Sequence, residues 1–135
     1  MKVKFYICKT CGNVVVKFYD SGAPLSCCGH EMEELKPMTT ETMAEKHLPT
    51  VECIDKCTLR VKVGAVEHPM DPEHFIRFIF METANGGQLR YLKPQDKPNV
   101  VFASCPDRPV AVYEYCNIHG LWKTEIKNEL KCTDK

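Results

Sequence analysis

Four cysteines lie close to the start of this 135-residue chain, at Cys8, Cys11, Cys27 and Cys28. The segment that carries them, residues 1–36, ends at Lys36-Pro37, and the threonine-rich stretch MTTET (38–42) that follows is typical of a linker. A segment this short cannot bury enough apolar surface to be stable by itself, so it requires a cross-link. The sequence therefore predicts two domains, residues 1–36 and 37–135, the first held together through its cysteines.

The spacing of these four thiols is typical of a metal site. Cys8-Lys-Thr-Cys11 is a C-x-x-C turn, which lets two sulfurs converge on one ion. The adjacent pair Cys27 and Cys28 reaches the same ion only through a strained local backbone. Zinc and iron both accept four thiolates in tetrahedral geometry, so the sequence predicts a four-cysteine metal site and leaves both metals open.

The composition disfavours several functional classes. Lys+Arg and Asp+Glu both total 18, so no net field favours nucleic acid or a membrane surface. No apolar stretch approaches the roughly 18 residues of a membrane-spanning helix. The start MKVKFYICKTCG does not have the pattern of a signal peptide, so the expected location is the cytoplasm. In that reducing compartment nine cysteines favour metal ligands over disulfides.

Short strand-like runs dominate the rest of the pattern. In domain 1, VKFYIC (3–8) and NVVVKFYD (13–20) predict a hairpin. In domain 2, CTLRVKV (57–63) alternates cleanly, and Asn85-Gly86-Gly87 predicts a hairpin turn. Further strands are predicted at FIRFIFME (75–82), QLRYLK (88–93), NVVFAS (99–104), PVAVYEYC (109–116) and LWKTEIK (121–127). Many short strands without a long 3.6-residue period favour an all-β fold, with an antiparallel β-sandwich as domain 2.

Four of the five histidines lie at strand ends or in loops of domain 2, namely His47, His68, His74 and His119. Cys116 lies three residues before His119, in the stretch YCNIHG (115–120). Four neutral imidazoles and one thiolate leave an octahedral metal with one open position. This suits a redox metal that binds a small ligand, whereas structural zinc is four-coordinate and closed. The fifth histidine, His30, is expected to have no metal role.

Two other sites could be built from the same residues. A blue-copper site uses two histidines, a cysteine and a weak methionine ligand such as Met70, but it leaves two histidines without a role. Nucleophilic catalysis by Cys116 with His119 as its base needs a third orienting group and leaves the other three histidines unused. Both alternatives account for fewer residues than a five-ligand metal site.

The motifs CKTC and CC, followed by EKHLP, the run from His68 to His74 and CNIHG, resemble those of the two-iron superoxide reductases, the desulfoferrodoxins. The resemblance covers essentially the whole chain. It implies a small desulforedoxin-like β domain followed by an immunoglobulin-like antiparallel β-sandwich, usually as a homodimer. It also implies one-electron reduction of superoxide to hydrogen peroxide, with electrons from a donor such as rubredoxin.

The resemblance also implies two non-haem iron ions per chain. The Fe(Cys)4 ligands would be Cys8, Cys11, Cys27 and Cys28. The Fe(His)4Cys ligands would be His47, His68, His74 and His119, with Cys116 as the axial thiolate. Glu45 and Lys46 match the glutamate and lysine that this family places beside the open position. Lys46 would attract anionic superoxide, and Glu45 would fill the open position once the iron is ferric.

Four further thiols depart from the family pattern, namely Cys53, Cys57, Cys105 and Cys132. We expect them to be small apolar residues, or a free thiol in the tail in the case of Cys132. A second interpretation of the whole chain is a rubredoxin-like electron-transfer protein, in which only the four-cysteine site is active.

Overall fold

The computed structural model describes residues 3–40, 47–64 and 68–127. The chain divides into two compact units, Met1–Lys36 and Pro37–Lys135. Strands and loops make up all of the described residues, so the prediction of an all-β fold is confirmed. These residues include no helix that could cross a membrane.

Unit 1 is built from two small sheets. A three-stranded antiparallel sheet has the order β2-β1-β5, and a two-stranded ribbon joins β3 to β4. The strands are β1 (Lys4–Ile7), β2 (Val14–Lys17), β3 (Ser26–Cys27), β4 (His30–Glu31) and β5 (Glu33–Leu35). The predicted hairpin corresponds to β1 and β2. Only Phe5, Cys8 and Met32 are buried among the described residues of this unit, which is a core too small to be stable without a cross-link.

Unit 2 is a two-sheet antiparallel sandwich of the immunoglobulin-like type. Its described strands are β6 (Pro49–Asp55), β7 (Thr58–Val63), β8 (Ile76–Thr83), β9 (Gly86–Tyr91), β10 (Asn99–Ala103), β11 (Pro109–Cys116) and β12 (Gly120–Glu125). One sheet has the order β10-β7-β6 and the other β12-β11-β8-β9. The chain changes sheet after β7, after β9 and again after β10, which is the connectivity of a Greek-key sandwich.

The core of unit 2 follows from the alternation of its strands. On β7, Leu59, Val61 and Val63 are buried as predicted, while Lys62 is exposed. They pack against residues of the opposite sheet, including Ile79, Met81, Val112 and Cys116. The strand predicted at 75–82 corresponds to β8, which lies between β11 and β9 and is therefore a central strand of its sheet.

Strand β6 has no counterpart among the predicted strands. Its burial alternates only weakly, because it lies at the edge of its sheet and only one side pairs, with β7. Val51 opposite Val61 fixes its register, a contact that local sequence does not reveal.

The hairpin between β8 and β9 differs from the predicted turn. Thr83 pairs with Gly86, so the two turn residues are Ala84 and Asn85, and both glycines lie within β9. Gly87 is required for space, because a Cβ there would overlap the Phe80 ring.

The expectation that Cys57 and Cys105 are only small apolar residues is wrong, because both are disulfide-bonded. The two form a disulfide with a Cα–Cα distance of 4.9 Å. Strand β10 pairs with β7 as far as Ala103 opposite Thr58, and the Ser104 amide then donates to the Cys57 carbonyl at 2.7 Å. This pairing brings the two thiols within disulfide reach although 48 positions separate them. Cys53 is also disulfide-bonded, and Cys132 lies outside the described residues.

We expect Gly87→Ala to lower the free energy of unfolding by about 1–3 kcal/mol, as overpacking does in well-packed sites. The added Cβ would overlap the Phe80 ring and lie 3.0 Å from the Met81 carbonyl oxygen. Gly86→Ala is the matched control, because the nearest contact of a Cβ there is Thr83 Oγ1 at 3.9 Å. Urea denaturation measures both variants, and equal stability would contradict this role of Gly87.

Candidate metal centres

Five of the predicted site residues converge at one end of the sandwich, namely His47, His68, His74, Cys116 and His119. One donor atom from each lies within 4.8 Å of all the others. The elements that supply them are distant in sequence. His47 lies just before β6, and His68 and His74 lie in the loop that leads into β8. Cys116 is the last residue of β11, and His119 lies in the turn between β11 and β12.

The four imidazoles form a closed ring in which each contacts two others. The distances between ring centroids are 5.0 Å for His47–His68, 4.8 Å for His68–His74, 5.0 Å for His74–His119 and 4.6 Å for His119–His47. His119 turns its Nδ1 toward the other donors, 2.9 Å from His47 Nε2 and 3.9 Å from Cys116 Sγ. This arrangement suits four nitrogens around one ion.

Burial and hydrogen bonding prepare His68 as a neutral nitrogen donor. Its Nδ1 lies 2.7 Å from the Pro69 carbonyl oxygen, so Nδ1 carries the proton and Nε2 keeps its lone pair. Burial lowers the pKa of His68 to about 4, against the opposing effect of that carbonyl. Among the described residues, the buried Nε2 atoms of His68 and His74 have no hydrogen-bond partner. A buried polar atom of this kind is costly unless a ligand satisfies it, so both nitrogens fit a metal.

Cys116 is the most deeply buried donor of the set. It is fully buried, whereas His119 is exposed. Burial raises the pKa of the Cys116 thiol, while the backbone N–H groups of His119 and Ile118 lower it. A metal cation would also stabilise the Cys116 thiolate. The exposed side of the donor set is that of His119.

Asn117 connects the two loops that carry the donors, a role that the sequence analysis did not identify. Its Oδ1 accepts a hydrogen bond from the Phe75 amide at 2.9 Å, and its Nδ2 donates to the Glu73 carbonyl at 2.9 Å. The Asn117 amide also donates to the Phe75 carbonyl at 3.3 Å. Because His74 lies between Glu73 and Phe75, these bonds hold it beside the end of β11, where Cys116 lies.

Trp122 supports the same cluster from β12. Its indole stacks on His47 with a centroid distance of 4.8 Å and an angle of 13° between the planes. The indole N–H donates to the His119 carbonyl at 3.2 Å. One side chain therefore restrains two members of the histidine ring.

The geometry favours five donors over the smaller sites considered from the sequence. All four histidines lie in one ring, so a copper site or a cysteine–histidine pair would leave neighbouring nitrogens without a role. The Met70 sulfur accepts a hydrogen bond from the Ile76 amide at 3.5 Å, and its side chain belongs to the hydrophobic core. The position of Met70 is therefore explained by its packing in the core, without a role as a copper ligand.

The second cluster lies in unit 1 and contains the four predicted thiols, Cys8, Cys11, Cys27 and Cys28. Their sulfurs lie within 4.8 Å of one another, with Cys11 and Cys27 at 3.5 Å. The C-x-x-C turn is closed by the Gly12 amide, which donates to the Cys8 carbonyl at 2.7 Å. Cys28 has a φ of 53°, a left-handed conformation that is uncommon outside glycine, so the predicted local strain is confirmed.

Thiols this close together cannot all ionise without a cation. Backbone N–H groups, that of Cys11 above all, lower the pKa of the Cys8 thiol to about 6. Hydrogen bonds with the other cysteines, first Cys11 and then Cys8, raise the pKa of Cys28 to about 12. A bound metal ion would remove this conflict, so the thiol set fits a tetrahedral zinc or iron site.

Three residues named in the sequence predictions belong to neither described cluster, namely Glu45, Lys46 and His30. Glu45 and Lys46 lie outside the described residues. His30 is exposed in β4 and belongs to neither cluster.

We expect Asn117→Ala to weaken metal retention at the five-residue cluster about tenfold or more, the usual cost of losing a residue that orients a ligand. The Phe75 amide also loses its side-chain acceptor, which costs about 1–3 kcal/mol of unfolding free energy. Competition with a chelator and urea denaturation measure the two effects, and the four-cysteine cluster should be unaffected. Asn99→Ala, at an exposed position on β10, is the control. Unchanged metal retention in Asn117→Ala would exclude this positioning role.

Comparison with known proteins agrees with these two clusters. The family model for desulfoferrodoxin matches residues 39–125. A desulfoferrodoxin from Syntrophotalea carbinolica is 42% identical over 92% of this chain and 97% of its own length. A superoxide reductase from Pyrococcus horikoshii is 34% identical, covering 63% of this chain and 89% of its own.

Among solved structures, the crystal structure of the superoxide reductase from Treponema pallidum has a TM-score of 0.78 and 31% identity. That match covers 92% of this chain and 98% of the other. The prediction of iron as cofactor is confirmed, because superoxide reductases use iron and both clusters have donor sets that can hold it. The chain therefore belongs to the desulfoferrodoxin family.

Proposed function

We propose that this chain is a superoxide reductase whose reaction takes place at the cluster of four histidines and Cys116. One superoxide anion, one electron and two protons give one hydrogen peroxide molecule. The observation that carries the proposal is the convergence of five donors with a single buried thiol and an exposed histidine. The similarity to proteins named superoxide reductase supports it.

The proposed ligands determine both the charge of the metal site and the side on which it is open to solvent. When bound, ferrous iron would supply the single electron. Four neutral imidazoles add no charge, and a single thiolate offsets only part of the charge of a ferrous ion. The site would therefore remain cationic and attract a small anion, although the whole chain has no net charge. The Cys116 thiolate donates electron density from the buried side. The exposed side, near His119, gives solvent protons a path to the product.

Glu45 and Lys46 belong to this proposal on the basis of their sequence positions. Lys46 precedes the proposed ligand His47, and an ammonium there would accelerate the encounter with superoxide. The Glu45 carboxylate would offer a bound iron a further oxygen donor and would thereby favour release of the product.

We propose the four-cysteine cluster as an Fe(Cys)4 centre in a separate domain, residues 1–36. It shares no residue with the five-residue cluster. Cys11 and Cys28 are exposed, which suits exchange of electrons with a partner protein. A rubredoxin-type donor, a homodimeric state and a cytoplasmic location are parts of the same proposal and rest on the resemblance in motifs.

The stoichiometry of the products tests the proposed reaction. With an artificial electron donor, iron-loaded protein should form one hydrogen peroxide per superoxide consumed and release no oxygen. Superoxide consumption, peroxide and oxygen are measured in the same assay. Oxygen release with half that peroxide yield would indicate a dismutase. Absence of turnover in protein that contains both irons would favour the rubredoxin-like electron-transfer protein.

Cys116→Ser and Cys8→Ser form a matched pair of variants for the same assay. Cys116→Ser should abolish turnover even in protein that retains iron, because a neutral hydroxyl cannot replace the thiolate. Cys8→Ser should lose the absorption of the Fe(Cys)4 centre and keep most of its activity with the artificial donor. Near-normal turnover in iron-loaded Cys116→Ser would contradict the assignment of that residue.

Lys46→Ala should slow the second-order reaction with superoxide and flatten its dependence on salt. Attraction of a small anion acts over about 10 Å at 0.1 M ionic strength, so the effect is largest in dilute buffer. Pulse radiolysis across ionic strengths measures both quantities. The control is Lys62→Ala, which removes the same charge from an exposed position on β7. A wild-type rate and salt dependence in Lys46→Ala would exclude Lys46 as the steering residue.

A further inference from the structure

The end of the sandwich opposite the five-residue cluster contains a cavity of about 350 Å³. Its lining includes Lys56, Leu59, Cys105, Asp107, Arg108 and Lys127. This volume is within the range of about 300–1,000 Å³ that is usual for small-molecule sites. Strand β11 runs from Pro109, which also lines the cavity, to Cys116, and it is eight residues long. At about 3.3 Å per residue its two ends lie roughly 23 Å apart, so this cavity is separate from the metal cluster.

The Cys57–Cys105 disulfide lies at the rim of this cavity. Cys105 is exposed and lines the cavity directly, while Cys57 is half-buried beside Lys56. The disulfide is therefore open to attack from the cavity at the sulfur of Cys105. Exposed disulfides are the ones that exchange with thiols, whereas buried structural ones resist them.

Charge at the cavity favours an anion. Three cationic side chains line it, those of Lys56, Arg108 and Lys127, against the single carboxylate of Asp107. That carboxylate is already engaged by the turn between β8 and β9 and by the backbone of its own loop. Asp107 Oδ1 accepts hydrogen bonds from the Asn85 side chain and the Arg108 amide, both at 3.0 Å, and Oδ2 accepts one from the Asn85 amide at 3.2 Å. Arg108 and Lys127 at the rim therefore remain available to a ligand that carries carboxylate or phosphate groups.

We propose that Cys57 and Cys105 form a redox site separate from the five-residue cluster, a dithiol–disulfide couple reduced by anionic low-molecular-weight thiols that bind in this cavity. The thiolate of the ligand attacks Cys105 Sγ and forms a mixed disulfide. The bond to Cys57 breaks, and the Cys57 sulfur receives the electron pair and then a proton.

A second thiol completes the reaction. It attacks the ligand sulfur of the mixed disulfide, and Cys105 leaves as a thiolate that takes up a proton. The sum is two thiols and one protein disulfide giving one small-molecule disulfide and two cysteine thiols. The proposal does not depend on the reaction with superoxide, and it gives this disulfide a role in a compartment that contains thiols.

The test compares reduced glutathione, an anionic thiol, with 2-mercaptoethanol, a neutral one, on the full-length iron-loaded protein. The measured quantity is the rate at which Cys57 and Cys105 become open to alkylation, resolved by peptide mass spectrometry. Arg108→Gln and Lys127→Gln should each slow reduction by glutathione about threefold to tenfold, the effect of one partly screened charge. Their rates with 2-mercaptoethanol should equal that of the unmodified protein.

Arg60→Gln is the matched control, because Arg60 lies on β7, pairs with Glu52 at 3.0 Å and does not line the cavity. It should leave the rates with both thiols unchanged. Equal slowing of both thiols by Arg108→Gln and Lys127→Gln would overturn the anion site. A Cys57–Cys105 bond that stays intact in glutathione would overturn the whole proposal and leave the disulfide a structural one.

Discussion

The register between β8 and β11 is the constraint on which the five-residue cluster depends. Near the end of β11 the pairing shifts, so that Tyr115 lies opposite Phe78 but Cys116 lies opposite Ile76. This bulge bends β8 at the point where its preceding loop delivers His74 to the cluster. The bonds between Asn117 and the backbone at residues 73–75 then hold this loop against the turn after β11. Two donor loops from different parts of the chain thereby meet at a fixed separation.

The sandwich separates two chemistries by placing them at its opposite ends. The end with the histidine ring combines neutral nitrogens with one buried thiol, which suits a metal ion that exchanges single electrons. The other end combines a disulfide with cationic side chains, which suits thiol exchange and the transfer of electron pairs. Rigid strands connect the two ends. The two proposed sites are therefore separated by the length of β11 and by the packed core.

In unit 1, the stability of the fold depends on the metal site itself. Few of its described residues are buried, and its four sulfurs are close enough to oppose one another's ionisation. The strained φ of Cys28 is a further cost. Metal binding offsets these costs together, because the cation stabilises the thiolates and cross-links the loops that carry them. A unit of this kind is expected to fold only with its metal.

The sequence by itself determined the donor types, their order and the all-β character of this protein. Metal binding is one of the few roles that histidine and cysteine share, so their occurrence together indicates a metal site. In strands such as β7, the alternation of apolar and polar residues shows which face is buried. Tertiary structure decided everything that depends on which strands are neighbours. Contacts between residues that are not neighbours in sequence decide three features. These are the pairing of Cys57 with Cys105, the edge strand β6 and the function of Asn117. No local pattern encodes those contacts, because they arise only when two sheets pack and bring separate loops to the same end of the sandwich.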